Sequence, residues 1–131
     1  MPKVSLDDVT VDDAPSRTIQ EVASGKVMDT DETTVRIVES YPYSETGPRH
    51  PHKHEHMEEV IHVLSGSGRA YDDGEIFDVE AGDTILFESG HYHMIANNTD
   101  EILRLVCVFP RADITQDFVY DDENTFPEDE L

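Results

Sequence analysis

Apolar and polar residues alternate along this chain in short runs, and each run stops at a turn-forming residue. Thr34-Val35-Arg36-Ile37-Val38-Glu39-Ser40-Tyr41 alternates and ends before Pro42. Val60 to Leu64 is a compact apolar run closed by Gly66 and Gly68. Arg69-Ala70-Tyr71 and Ile76-Phe77-Asp78-Val79 flank the turn Asp72-Asp73-Gly74-Glu75, Thr84 to Phe87 lies between Gly82 and Gly90, and Ile102 to Phe109 is halted by Pro110. Residues two apart share a face of a strand, whereas an amphipathic helix repeats at three and four. No run keeps the helical period and no internal repeat is present, so the pattern predicts an all-β sandwich or barrel. In the last run Arg104 prefers the outer face, which turns Leu103, Leu105, Cys107 and Phe109 inward. Residues 1–24, with Asp7, Asp8, Asp12, Asp13 and Pro15, read as a partly extended N-terminal arm. Residues 25–111 read as the β domain and 112–131 as an acidic segment ending in a solvated tail. In that segment Phe118, Val119 and Tyr120 are the residues able to dock on the body.

Composition narrows the functional classes. The 131 residues amount to one domain, and 9 basic against 30 acidic side chains leave a net charge of −21. Nucleic acid and anionic membrane surfaces would meet a field of their own sign, so neither is an expected partner. No stretch reaches the ~20 apolar residues of a spanning helix, and MPKVSLDDVTVDD lacks the basic start and apolar core of a leader, so a cytoplasmic location is expected. The single cysteine, Cys107, excludes an intramolecular disulfide and a multi-cysteine zinc site. Lysine is scarce, at Lys3, Lys26 and Lys53 alone. An acidic, lysine-poor surface suits concentrated salt, where the screening length falls to ~3 Å at 1 M and self-repulsion fades. Such surfaces resemble those of proteins from extreme halophiles.

The chemistry concentrates in the histidines. All seven (His50, His52, His54, His56, His62, His91 and His93) lie between positions 50 and 93. The first four are spaced by two, so an extended backbone would present them on one face. A His-X-His pair on a strand offers two imidazoles to one ion, although a loose exposed tract that chelates opportunistically would have the same composition.

The surroundings of these histidines resemble the two motifs of the cupin superfamily. Gly47, His52, His54, Glu59 and Gly66 follow the order of the first motif, and Gly82, Gly90, His93 and Asn97 the spacing of the second. Gly47 stands one residue nearer His52 than the usual pattern, and Glu88 replaces a turn proline that carries no metal-binding atom. The resemblance covers roughly residues 34–109. It implies a single cupin jelly roll (a double-stranded β-helix barrel) in which His52, His54, Glu59 and His93 bind one divalent metal ion per chain. Three imidazoles and a carboxylate suit Mn, Fe, Co, Ni, Cu or Zn. Six-coordinate geometry would leave two positions for water, substrate or O₂. His56 could replace His54 in an alternative register, at the cost of leaving two residues before Glu59. His50 and His91 are expected near the mouth of the barrel, with His62 and Glu58 on the outer face. Cys107 reads as a small buried apolar residue, with a place on the cavity wall the alternative. The resemblance further implies a homodimer with a small-molecule ligand. A metal-dependent enzyme on a small polar molecule is then expected, dioxygenase-type oxidation first and isomerase or lyase chemistry next; the alternative is a non-catalytic ligand-binding cupin.

Overall fold

A computed structural model describes residues 2–131 and shows two antiparallel sheets with almost no helix. The strands are β1 (Asp12–Ala14), β2 (Arg17–Ala23), β3 (Thr34–Ser40), β4 (His52–Lys53), β5 (Glu59–Ser65), β6 (Ser67–Asp72), β7 (Glu75–Glu80), β8 (Thr84–Phe87), β9 (His93–Ala96), β10 (Leu103–Phe109) and β11 (Val119–Tyr120). One sheet has six strands in the order β1-β2-β3-β10-β5-β8, and the other has five in the order β11-β4-β9-β6-β7. The all-β jelly-roll expectation is met. Each alternating run in the sequence is a strand, and the predicted inward set Leu103, Leu105, Cys107 and Phe109 is buried along β10. These side chains meet Ile61, Val63, Phe87 and Ile95 from neighbouring and facing strands to form the core. Burial of an alternating face on both sheets is the driving force for this architecture.

Gly66, between β5 and β6, shows why the first motif ends in glycine. Its φ is +84°, and a Cβ there would lie 2.8 Å from the Ile102 carbonyl oxygen. The reversal between the sheets therefore needs both the left-handed backbone and the missing side chain.

Both ends of the chain join the barrel. Residues 12–14 and 17–23, within the segment read as an arm, form β1 and β2, with Arg17 opposite Ser40 and Ile19 opposite Val38. β2 carries no alternation because all seven residues are half-buried. It is a strand because the open edge of β3 needs backbone partners, a demand no local pattern records. At the other end β11 pairs with β4, Tyr120 opposite His52. Beyond it the Phe126 N–H donates to the Arg49 carbonyl at 3.0 Å. The Phe126 ring is fully buried between Tyr43 and Tyr71, with centroids 6.3 Å from each. The segment therefore departs from a solvated tail as far as Phe126, because one aromatic side chain gains more from an apolar pocket than the surrounding acids lose. Phe126→Ala is expected to lower unfolding free energy by roughly 3–5 kcal/mol in denaturant titration. A change below about 0.5 kcal/mol would show that the segment does not dock.

Candidate metal centre

Three short elements bring four side chains together. His52 lies on β4, His54 just after it, and Glu59 and His93 open β5 and β9. His52 and His93 face each other across the β4–β9 register. One donor atom from each of His52, His54, Glu59 and His93 lies within 4.8 Å of all the others. His54, Glu59 and His93 are 1%, 4% and 2% exposed. Glu59 Oε1 lies 2.9 Å from His93 Nε2 and 3.3 Å from His54 Nε2. Burial alone would raise the Glu59 pKa, yet these close imidazole nitrogens hold it at about 2. The carboxylate is therefore charged at every physiological pH. Burial, reinforced by His93, drives His52 well below 6.5, so it stays a neutral imidazole.

The imidazoles are oriented from behind. His54 Nδ1 donates to the Asp117 carbonyl at 2.6 Å and His93 Nδ1 to the His91 carbonyl at 3.0 Å. A carbonyl oxygen only accepts, so each Nδ1 carries its proton and each Nε2 is the atom turned toward the centre. Ring stacking completes the support. Phe118 lies 4.3 Å from His52 at an interplanar angle of 14°, and Phe87 lies 4.4 Å from His93 at 10°. Asp117 also uses its carboxylate, which accepts from the Glu55 N–H at 2.7 Å and the His56 N–H at 2.9 Å. No motif flagged Asp117, whereas Phe118 is among the residues expected to dock on the body, as it does against His52. Their roles arise from a contact spanning more than sixty positions.

The same carboxylate corrects one expectation. The period-two histidines do not share one face, because β4 ends at Lys53 and the chain bends at Glu55–His56. Asp117 draws both amides out of the extended register. His56 is consequently exposed and outside the cluster, and His54 occupies the buried position. His50 is exposed and bonds the Asn124 carbonyl at 2.7 Å. His62 meets Thr84 Oγ1 at 2.7 Å on the outer face, where Glu58 is also exposed. His91 pairs with Asp72 at 3.0 Å and Glu88 at 3.4 Å.

Beside the cluster lies a cavity of about 70 Å³. Its wall includes His52, Glu59, His93 and Cys107, apolar side chains such as Ile61 and Phe118, and Arg17, Arg36 and Arg49. Cys107 is thus both buried and part of the wall. Burial first, then the Glu59 charge, pushes its thiol well above 9, so it is neutral and unactivated. The donor set fits a divalent transition metal: inward Nε2 atoms, a charged carboxylate, fixed tautomers and adjoining open space. Among the described residues no helix is long and apolar enough to cross a membrane.

This geometry and fold are those of a cupin, and the chain belongs to that family: residues 37–109 match the Cupin domain. Among known proteins, the oxalate-binding protein of Thermotoga maritima is 41% identical over 51 residues, covering 37% of this chain and 42% of the relative. The match thus spans less than half of that protein's length. Two solved structures share the fold. The oxalate decarboxylase formate complex of Lactobacillus farciminis superposes with a TM-score of 0.75 at 21% identity, over 88% of this chain and 34% of that one. The polyketide cyclase RemF of Streptomyces resistomycificus gives 0.74 at 22% identity, over 99% of this chain and 89% of that one.

The hold of Asp117 on the loop is measurable by amide hydrogen exchange. Burial would raise its pKa, but the His56 and Glu55 N–H groups bring it below the usual carboxylate value. A pKa depressed on folding means the stabilisation is present above about pH 4 and is lost as pH falls through the folded value. Asp117→Ala should speed exchange at Glu55 and His56 by about tenfold, the equivalent of one hydrogen bond to a charged group. Unchanged exchange would show that the carboxylate does not hold the loop.

Proposed function

We propose that this chain is a metal-dependent cupin enzyme in which His52, His54, Glu59 and His93 hold one divalent transition ion and a small polar molecule reacts beside it. The observation that carries this reading is the convergence of three imidazoles and one carboxylate within 4.8 Å at the wall of a cavity. Mn, Fe, Co, Ni, Cu and Zn all suit that donor set. When bound, such an ion supplies Lewis acidity or redox chemistry.

The chain's own groups narrow the reaction. Glu59 is committed to the cluster, Cys107 stays protonated, and the cavity wall carries no other carboxylate or thiol. A reaction needing a strong side-chain base is therefore poorly served, which disfavours isomerisation. Oxidative cleavage by O₂, or lyase-type cleavage of the kind named for the Lactobacillus structure, needs no such base. Phe118 and Ile61 keep the cavity wall beside the cluster apolar, which strengthens electrostatic interactions there. A non-catalytic role is the second reading, favoured by the binding function in the name of the Thermotoga relative.

Elemental analysis of tag-free protein should find near one transition metal per chain. His93→Ala should lose most of it, together with any O₂ uptake or CO₂ release. Metal below about a tenth of an equivalent, not restored by adding it back, would overturn the reading. Saturable ligand binding without turnover would move the protein to the second reading.

The same proposal places the protein in the cytoplasm, as a homodimer, in concentrated salt. The −21 charge and the scarcity of lysine support the last point. Exposed Leu86 and Val108 on the outer face of the six-stranded sheet are compatible with a partner. The melting temperature should rise by 10 °C or more, on the order of a few kcal/mol, between dilute and molar KCl. A flat salt response would remove the salt-adapted reading, and a monomer mass by light scattering would remove the dimer.

A further inference from the structure

The four donors of the cluster are not held alike. His54 and His93 each bond a backbone carbonyl through Nδ1, at 2.6 Å and 3.0 Å. Glu59 opens β5 opposite Phe87, and His93 opens β9 opposite Asp72, so both sit on well-paired strands. Among the described residues the ring nitrogens of His52 have no hydrogen-bond partner, and the contacts of the ring are aromatic. Phe118 lies nearly parallel to it at 4.3 Å and 14°, while His93 at 4.5 Å and Tyr120 at 6.2 Å are steeply inclined. His52 is also the one member of the four that is half-buried rather than buried.

The backbone around His52 leans on the same C-terminal segment. β4 is two residues long and meets β9 at one register pair, His52 with His93. It meets β11 at two, His52 with Tyr120 and Lys53 with Val119. On the other side the Asp121 N–H donates to the Pro51 carbonyl at 2.9 Å. Pro51, His52 and Lys53 therefore all rest on residues 118–121. Short elements with few backbone partners open locally at lower cost than core strands.

Stacking constrains a ring less than a hydrogen bond does. It fixes the plane of an imidazole, but neither the nitrogen that carries the proton nor the rotation of the ring within that plane. A carbonyl partner fixes both. His54 and His93 are thus preset donors, and His52 is one only while the Phe118 ring holds it.

We propose that Phe118 is the positioning residue for His52 and that His52 is the exchangeable ligand of the centre, so that the C-terminal segment sets how tightly the ion is retained. The inference rests on the metal-centred reading above and adds a division within its ligand set. His54, Glu59 and His93 form the standing trio, and His52 joins it or leaves with the Phe118 ring. Both His52 and Phe118 line the cavity, so the coordination position that His52 vacates opens onto the space available to a small molecule.

The test is zinc affinity of the full chain, measured by competition with a chromogenic chelator, together with NMR of the zinc-loaded protein. Phe118→Leu keeps an apolar side chain but removes the stacked ring, and should weaken zinc binding about tenfold, the lower end of the cost of losing a group that orients a ligand. Phe118→Tyr keeps the ring and should stay within about twofold of the wild type. In a His52→Ala background Phe118→Leu should change affinity by less than about twofold, because the residue it acts through is gone. The proposal is overturned if Phe118→Leu binds zinc like the wild type, if Phe118→Tyr loses as much as Phe118→Leu, or if the leucine costs the same factor with and without His52. In the wild type, the ring N–H of His52 should exchange with solvent about tenfold or more faster than those of His54 and His93, the equivalent of one missing hydrogen bond. Equal protection of the three would overturn the proposal even where a variant fails to fold. A wild type that takes up no zinc overturns the metal-centred reading and this inference with it, whereas the outcomes above leave that reading standing.

Discussion

A buried carboxylate charge, Glu59, is the constraint around which the rest of the site is arranged. A lone carboxylate at 4% exposure would be neutralised or expelled, because its desolvation costs several kcal/mol. Here one oxygen is shared by His54 and His93, and the compensation is strong enough to hold the pKa at about 2 despite burial. The three residues come from the loop after β4 and from the starts of β5 and β9, so the charge pins together strands of both sheets. Burial, reinforced by the Glu59 charge, raises the Cys107 thiol and leaves it unactivated. One interaction thus sets the donor geometry, the protonation of its neighbours and part of the register between sheets.

That arrangement depends on a segment remote in sequence. Asp117 fixes the His54 ring through its carbonyl and bends the Glu55–His56 backbone through its carboxylate. Phe118 stacks on His52, and β11 continues the sheet at β4. Phe126 anchors the run against Tyr43 and Tyr71. The acidic C-terminal segment is therefore a brace against the histidine–carboxylate cluster, and Asp122, Glu123, Glu128, Asp129 and Glu130 stay exposed beyond its short strand. Electrostatics acts at two scales: a diffuse negative surface, and a compact interior cluster in which one carboxylate sits among imidazoles.

The sequence by itself determined the barrel and the four-residue cluster. Period-two alternation marked β3, and short β-type runs closed by turn residues marked β5, β6, β7, β8 and β10. The resemblance of the two motifs to those of cupins marked His52, His54, Glu59 and His93. Tertiary structure alone decided the rest. β2 has half-buried residues throughout and no alternation to read. β4 and β11 are two residues each, too short for a pattern. The bend in the histidine tract was hidden: a carboxylate at position 117 holds the Glu55 and His56 amides, and no local rule carries that contact, although the motif spacing already favoured His54 over His56. The same holds for Arg17 and Ser40, ordinary polar residues in the sequence that stand opposite one another only when β2 pairs with β3. Local pattern reports which face of a segment avoids water; which remote group meets that segment is set by closure of the sheets.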